Sequence, residues 1–382
     1  MKRPLEGVRV VEHGTFITGP AAGVLLADLG ADVIKVELPG SGDPLRAFKG
    51  GLYSTHYQAY NRNKRSVTLD TRDPGDREIF DALIVDADVY IQNFRPGVAE
   101  QIGAGATRLR ELNRRLVYCA ISGFGPDGPY AERPCYDTVA QAYSGFLRLL
   151  VAPSEPRVMG PAIADAVTGF YAAYGILGAL YGRAYSDQGC EVGISMLEAM
   201  THFNVDAFQH LFSSREVLGA YDRARVSQSY VLACRDGAWI SLHMSSPEKF
   251  WQGLASATER GDILLDPRFA DRHARIINHD ALIAELQEVF LTRDRDEWCE
   301  RLRALDVPYA PVYDTAEAVQ DPQLQHLRMF IQATQPDGST WCTVRPPVVY
   351  DRAQELTVRP PPMLGEHTDE VRVHGWQDTV HR

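Results

Sequence analysis

The first 37 residues confine the chain to a narrow set of folds. Gly7-Val8-Arg9-Val10-Val11-Glu12 is a short β-branched run and reads as a strand. Gly19-Pro20 opens an apolar helix, Ala21 to Leu29, with Leu25, Leu26 and Leu29 on one face and Gly30 as its stop. Asp32 to Glu37 is a second strand. Such a strand–helix–strand unit predicts two parallel strands joined by a right-handed crossover. The pattern continues with a strand at Ser66–Leu69, a helix at Pro74–Ala87, and a strand at Val89–Ile91. A helix at Arg108–Leu112 and a strand at Leu116–Ser122 follow. Alternation of this kind predicts a doubly wound, Rossmann-like α/β domain.

Helical sequence dominates from Asp137 to Tyr185, followed by a strand at Val192–Ser195 and a helix from Met196 to about Phe212. Beyond Ser213-Ser214-Arg215 the character changes. Two apolar runs flank Asp236-Gly237, a hairpin signal, and helices are expected at Pro247–Ala257, Ala281–Leu291 and Arg295–Leu305. A second hairpin turns at Asp337-Gly338, and the tail from Pro346 is Pro-rich and extended. A chain of 382 residues has room for two to three domains at about 150 residues each. The expected division is a large domain over 1–212, a linker over 213–225, a smaller α+β domain over 226–320, and a C-terminal segment, 321–382, returning to the large domain.

The formal net charge is −11, which excludes a general nucleic-acid coat but leaves room for a local basic pocket. The six cysteines are widely spaced, with no CxxC, so reduced thiols in the cytoplasm are expected rather than zinc or disulfides. Met1 to Glu6 turns polar before any apolar run, so no secretion signal is visible. Ala162 to Tyr181 has the length of a membrane span, but it carries Asp165 and recurring glycines and reads as a core helix; no membrane partner is expected. Glu366-His367-Thr368-Asp369-Glu370 reads as a solvated cap, and no metal site is expected.

Gly123-Phe124-Gly125-Pro126-Asp127-Gly128 fits a dinucleotide fingerprint in spacing only. Pro126, Pro129 and Pro134 prevent the helix whose N–H groups would face a pyrophosphate. Glu37, where a ribose-binding acid would stand, reads as a solvent-facing carboxylate at a strand end. Asp165 stands out instead, in a small-residue and apolar surround beside a helix rich in Gly and Ala. It suits a helix N-cap, and an ionised carboxylate in a dry pocket also suits a nucleophile. A second cluster, Asn61-Arg62-Asn63-Lys64-Arg65 with Asn93-Phe94-Arg95-Pro96-Gly97, borders the sheet. Cations beside an aromatic suit a phosphorylated, base-bearing ligand, and equally suit surface ion pairs.

Taken in order, these segments resemble the class III coenzyme A transferases, a superfamily that includes formyl-CoA transferase, carnitine CoA-transferase and the α-methylacyl-CoA racemases. The resemblance rests on Gly19-Pro20 with Leu25 to Glu37, Gly40-Ser41-Gly42-Asp43, Asn63-Lys64-Arg65-Ser66 and Asn93-Phe94-Arg95-Pro96-Gly97. Tyr136-Asp137 with Gln141-Ala142 and Ser144-Gly145, Asp165 with Gly169, Asp266-Pro267-Arg268-Phe269 and Leu364-Gly365-Glu366-His367-Thr368 extend it over most of the chain.

The resemblance implies a transferase of the EC 2.8.3 type. Asp165 would carry mixed-anhydride and aspartyl-CoA intermediates between an acyl-CoA donor, with succinyl-CoA common, and a carboxylic acid acceptor. It implies no permanently bound cofactor, CoA being substrate. It places Asn93 and Phe94 at the nucleotide, Tyr136 near the pantetheine arm, and Lys64 and Arg65 as ligand or structural support; Arg95 is expected to join the two basic residues toward the CoA phosphates. It also implies two ring-shaped subunits interlocked as a homodimer. Ile17, Leu38 and Gln101 replace a glutamine and two arginines of formyl-CoA transferase, and the segment around Gln228-Ser229-Tyr230 lacks its glycine-rich loop. These changes argue against formyl-CoA and oxalate. A racemase needs a proton-transfer histidine where Tyr136 stands. A non-catalytic acyl-CoA-binding subunit is a further alternative, distinguished by whether Asp165 takes a covalent adduct, and a dehydrogenase is the last.

Overall fold

The computed structural model describes residues 3–245, 248–335, 337–351 and 358–377. Met1, Lys2, Pro247 and residues 352–357 of the extended tail, on which expectations above fall, lie outside the described residues. Six strands form one parallel sheet: β1 (Arg9–Glu12), β2 (Asp32–Glu37), β3 (Lys64–Thr68), β4 (Val89–Gln92), β5 (Val117–Ser122) and β6 (Glu191–Ser195). Their order is β3-β2-β1-β4-β5-β6. The chain works outward from β1 to β3, then returns to the other side of β1. This reversal opens a crevice at the carboxyl ends of β1 and β4, where ligands of open α/β sheets bind.

Alternation along each strand divides the core into two layers. Val10, Val33, Val89 and Val117 pack against Leu26 of helix α1 (Thr18–Asp28) and against Ala172, Ala173 and Ile176 of a long helix, Ile163–Ser186. Val11, Ile34, Tyr90 and Tyr118 face the other way, onto Phe80, Leu83 and Ile84 of the helix Pro74–Val85. Trp376 joins this second layer and donates its indole N–H to Leu83 O at 3.0 Å, so both chain ends build the same unit.

The chain forms two compact units. One holds the residues up to Arg148, Arg157–Phe208 and those from Arg328 onward; the other holds Leu149–Pro156 and Gln209–Leu327. The second unit is an antiparallel sheet of β7 (Ser229–Ala233), β8 (Trp239–His243) and β9 (Tyr309–Pro311) with helices including Glu248–Ala257, His279–Phe290 and Arg295–Ala304. Trp251, Phe290 and Trp298 lie in its core, the last two stacked at 4.5 Å.

Three local expectations change. The helical stretch from Asp137 ends at Tyr143 and resumes at Ile163, because Gly145 turns at φ 75° and Pro153, Pro156 and Pro161 interrupt the span. The helix from Met196 breaks at Asn204, whose amide turns to donate to Ser144 O at 3.3 Å, and a new helix runs Val205–Ser214. Glu37 does not face solvent: it is buried and holds Arg46 through both oxygens, at 2.7 Å each.

The long helix is 24 residues, apolar enough in composition to span a membrane. Thr168, Gly169, Ala172, Ala173 and Ile176 form its buried face. A Cβ on Gly169 would stand 2.6 Å from that of Ala21 and 3.1 Å from Thr18 O, so glycine is what lets this helix meet the start of α1. Phe170, Tyr174, Tyr181 and Tyr185 form an opposite stripe, each more than 60% exposed.

Candidate active site

Asp165 is the third residue of the long helix and lies one turn before Gly169, on the side that meets α1. It does not cap its own helix. Asp137, from the start of the helix Asp137–Tyr143, does so: its Oδ1 accepts the N–H of Ala164 at 2.7 Å and that of Asp165 at 3.3 Å. The Asp165 carboxylate accepts no hydrogen bond among the described residues. Partial burial, with the Asp137 charge beside it, pushes its carboxyl up to about 7. Two neighbours register the same pair of carboxylates. Tyr60 is raised by burial and then by Asp165 and Asp137, and the Cys135 thiol is pushed up to about 11 for the same reasons.

The loop between β1 and α1 is held on every side. Lys35 Nζ donates to Gly14 O at 2.7 Å. The Asn93 amide accepts from Thr15 N at 2.8 Å and donates to Thr15 O and Thr18 Oγ1 at 2.7 and 2.9 Å. Asp43 Oδ1 accepts Phe16 N–H at 3.0 Å. Phe16 thereby sits at φ 57°, a left-handed conformation costing a bulky residue about 1–3 kcal/mol. Its ring meets Tyr136 edge to face at 6.0 Å. Thus Asp165, Tyr136 and the Phe16–Thr18 segment share one region, and Asn93 supports it from behind.

At the strand ends, a cavity of about 240 Å³ lies where the sheet order reverses, lined by His13, Gly14, Glu37, Leu38, Asp70, Arg72 and Phe94 among others. Phe94 packs edge-on against His13 at 4.9 Å. Burial, then the Lys35 charge, pushes His13 down to about 3, so it is a neutral imidazole sharing a 3.1 Å hydrogen bond with the Tyr90 hydroxyl. Arg95, next to Phe94, is exposed and has no carboxylate partner among the described residues. A larger cavity, about 1070 Å³, is lined by Ile163, Val167, Phe170 and Tyr174 on the long-helix face turned away from Asp165.

Lys64 and Arg65 are both engaged with acids of the protein. Lys64 is fully buried, 2.7 Å from Glu12 Oε2, and donates to Pro20 O and Asn61 Oδ1 at 2.9 Å each. Arg65 is 1% exposed and grips Asp32 through Nε and Nη2. Both point into the protein, because β3 is covered on both sides. Asn93 likewise has its amide donors and its acceptor taken up by the loop. In the second unit, Arg225 pairs with Asp280 at 2.8 Å, and His243 hydrogen-bonds Ser229 and Ser245, each at 3.0 Å. His367 does stand at the N-cap position of the helix Thr368–His374, but it is half-buried rather than solvated, and its Nδ1 accepts Ser66 N–H at 3.4 Å.

Sequence reasoning passed over Asp137, Tyr60, Asp43 and Lys35 as site residues. Asp137 had a usable signal: an acid at a helix start with Gln141 four residues on. Those two are joined at 2.6 Å.

The family model for CoA-transferase family III matches residues 5–368. The chain belongs to CoA-transferase family III. Relatives in this family include an acetyl-CoA:oxalate CoA-transferase of Acetobacter aceti, 32% identical over 87% of this chain and 86% of that protein. A succinate–glutarate CoA-transferase of Agrobacterium fabrum is 32% identical over 97% of this chain and 95% of its own length. A CAIB/BAIF family protein from Brucella suis shares the fold with a TM-score of 0.87 and 32% identity, covering 98% of this chain and 99% of that one. CoA-transferases of family III act on CoA thioesters and carboxylates, which is the chemistry the site has to accommodate.

Proposed function

We propose that the protein transfers coenzyme A from an acyl-CoA donor to a carboxylic acid acceptor, with Asp165 as the covalent carrier. The observation that carries this reading is the Asp165 carboxylate, partly buried, relieved of capping by Asp137, and titrating near neutrality in a chain of this family. Its oxygen attacks the donor thioester carbonyl, and the C–S bond breaks to give CoA thiolate and a mixed anhydride. The thiolate attacks the aspartyl carbonyl and releases the donor acid, leaving aspartyl-CoA. The acceptor carboxylate then attacks that thioester, and the thiolate returns to the acceptor acyl carbon, regenerating Asp165. The thioester's energy is kept without ATP, and holding the thiolate in place makes each attack effectively unimolecular.

In this reading the cavity at the sheet reversal takes the nucleotide, with Phe94 against the base and exposed Arg95 toward a phosphate. Tyr136, 60% exposed beside Phe16, borders the pantetheine arm. Ile17 in place of a glutamine disfavours the small, fully polar oxalate; succinyl-CoA with larger acids is the favoured pairing. All six cysteines are free thiols, which suits the cytoplasmic setting expected for such an enzyme. The test is a matrix of acyl-CoA donors and carboxylic acids read by mass spectrometry. Exchange in at least one pair is expected, and none across succinyl, acetyl, branched and aromatic donors would overturn the proposal.

Racemisation is separated by one measurement. It needs a base for the α-proton, and a tyrosine hydroxyl such as that of Tyr136 is a poorer one than the histidine a racemase needs there. A chiral 2-methylacyl-CoA incubated in D₂O is expected to take up no α-deuterium, and Tyr136→Phe to retain transfer. Rapid wash-in that is lost in Tyr136→Phe would assign the racemase branch instead.

The exposed stripe of Phe170, Tyr174, Tyr181 and Tyr185 supports the homodimer as part of this proposal, since aromatic patches of that extent call for cover. If the subunits interlock, two differently labelled populations mixed at nanomolar concentration should form no hybrid without unfolding. Hybrids within minutes would rule interlocking out.

A further inference from the structure

Resting on Asp165 as the reacting group, we infer that Asp137 is its positioning residue: Asp137 caps the helix that carries Asp165, leaves that carboxylate unengaged, and sets a fixed negative charge beside it. An aspartate at the third position of a helix ordinarily folds back on the first-turn N–H groups or is drawn to them. Here those donors are taken. Asp137 Oδ1 accepts from Ala164 and Asp165, and its second oxygen accepts from Gln141 Nε2 at 2.6 Å. Gln141 is fully buried, and its helix is tied on through Ser144 O, which accepts from Asn204. The charge is therefore held against the start of the long helix by two backbone N–H groups, one of them that of Asp165 itself.

The groups around Asp165 do not offset that charge. Tyr60 and Cys135 are both held protonated. The start of α1 contributes Thr18, Gly19 and Pro20, none ionisable. Glu198 and His202, on the helix Met196–Phe203, are bonded to Ser195 at 2.6 Å and to Tyr171 at 2.6 Å. No cation sits against the pair among the described residues. A carboxylate with a negative neighbour and no donor is more basic, hence a better nucleophile at a thioester, than an exposed aspartate. Ionising it is correspondingly harder, so the reaction acquires an acid limb close to neutral pH.

The test uses the full-length protein and two variants. Asp137→Asn keeps an oxygen for the two N–H groups and removes the charge, whereas Asp137→Ala removes both. The acid-limb midpoint of covalent adduct formation should fall by about one pH unit or more in both variants. The melting temperature should fall in Asp137→Ala and be largely restored in Asp137→Asn. A residue with only a capping role would lower stability and leave the midpoint in place, and that result overturns the inference. Carboxyl-¹³C NMR titration of Asp165, assigned by its absence in Asp165→Asn, reads the same coupling without any substrate. If no acyl-CoA labels Asp165, the transferase reading fails. If the Asp165 titration is unmoved by Asp137→Asn, the positioning role fails.

Discussion

Asp165→Ala should lose CoA exchange by more than about a thousand-fold, the scale seen when a covalent nucleophile is removed, and should fold as well as the parent protein. Incubation of the unaltered protein with its acyl-CoA donor should give a hydroxylamine-sensitive mass increase that maps to the peptide containing Asp165. The variant should give none. Retention of full exchange would mean that another group carries the acyl or CoA moiety, and the mechanism as written would be wrong. Stability discriminates further. Were Asp165 the cap of its helix, removing it would cost about 1 kcal/mol. Asp137 is the cap instead, so that loss is not expected.

The pH dependence of that comparison has a definite sign. The Asp165 carboxyl is raised from an ordinary 3.8 to about 7 by burial and then by Asp137. Between those values the folded protein holds a proton that the unfolded chain has lost, so this group's contribution to stability falls as pH rises. The penalty is complete above about pH 7 and absent below about pH 4. Asp165→Ala removes it, so the variant should gain melting temperature relative to the parent at pH 8 and show no such gain at pH 4.

The β1–α1–β2 unit was legible because strand and helix periods alternate there with glycine and proline at the boundaries, and the sheet follows from repeating that unit. The break between Tyr143 and Ile163 was harder to read, since its residues are mostly apolar and only the backbone at Gly145 and the prolines end the helix. Within the proposed site, Asp165 was legible as an acid among small residues. Its partner Asp137 was legible only as an acid at a helix start; that it caps the helix of Asp165, 28 positions later, depends on how two helices meet. Lys64 shows the converse: a basic residue in a basic run looks like a phosphate contact until strand alternation and burial place it inside. A charged pattern alone does not distinguish a cation facing ligand from one facing a buried acid.

That distinction yields a large expected effect on stability. Glu12→Gln should destabilise the first unit by about 3–5 kcal/mol, the usual consequence of removing one partner from a buried ion pair. Glu12, Lys35 and Lys64 are all fully buried, with Glu12 2.9 Å from Lys35 and 2.7 Å from Lys64. Burial alone would raise Glu12, but the two lysines outweigh it and hold the carboxyl below its ordinary range. Lys35 retains Asp43 at 3.0 Å, whereas Lys64 is left with only neutral oxygens; burial already pushes Lys64 down to about 8. The sequence makes room for this acid at a cost, since a Cβ on Gly23, inside α1, would overlap a Glu12 oxygen. A depressed carboxyl stabilises above its unfolded value and loses that contribution as pH falls through its folded one. The difference between Glu12→Gln and the parent should therefore be widest at neutral pH and narrow in acid. Because Lys35 and Lys64 also hold Gly14 O and Pro20 O, the loop carrying Phe16 and Ile17 should loosen with them, and exchange activity should drop even where the variant remains folded. Glu12→Leu combined with Lys64→Met removes both charges of the closest pair and should recover much of the melting temperature. If the single variant melts like the parent, or the double variant is worse than the single, this charge layer is not what holds the loop in place.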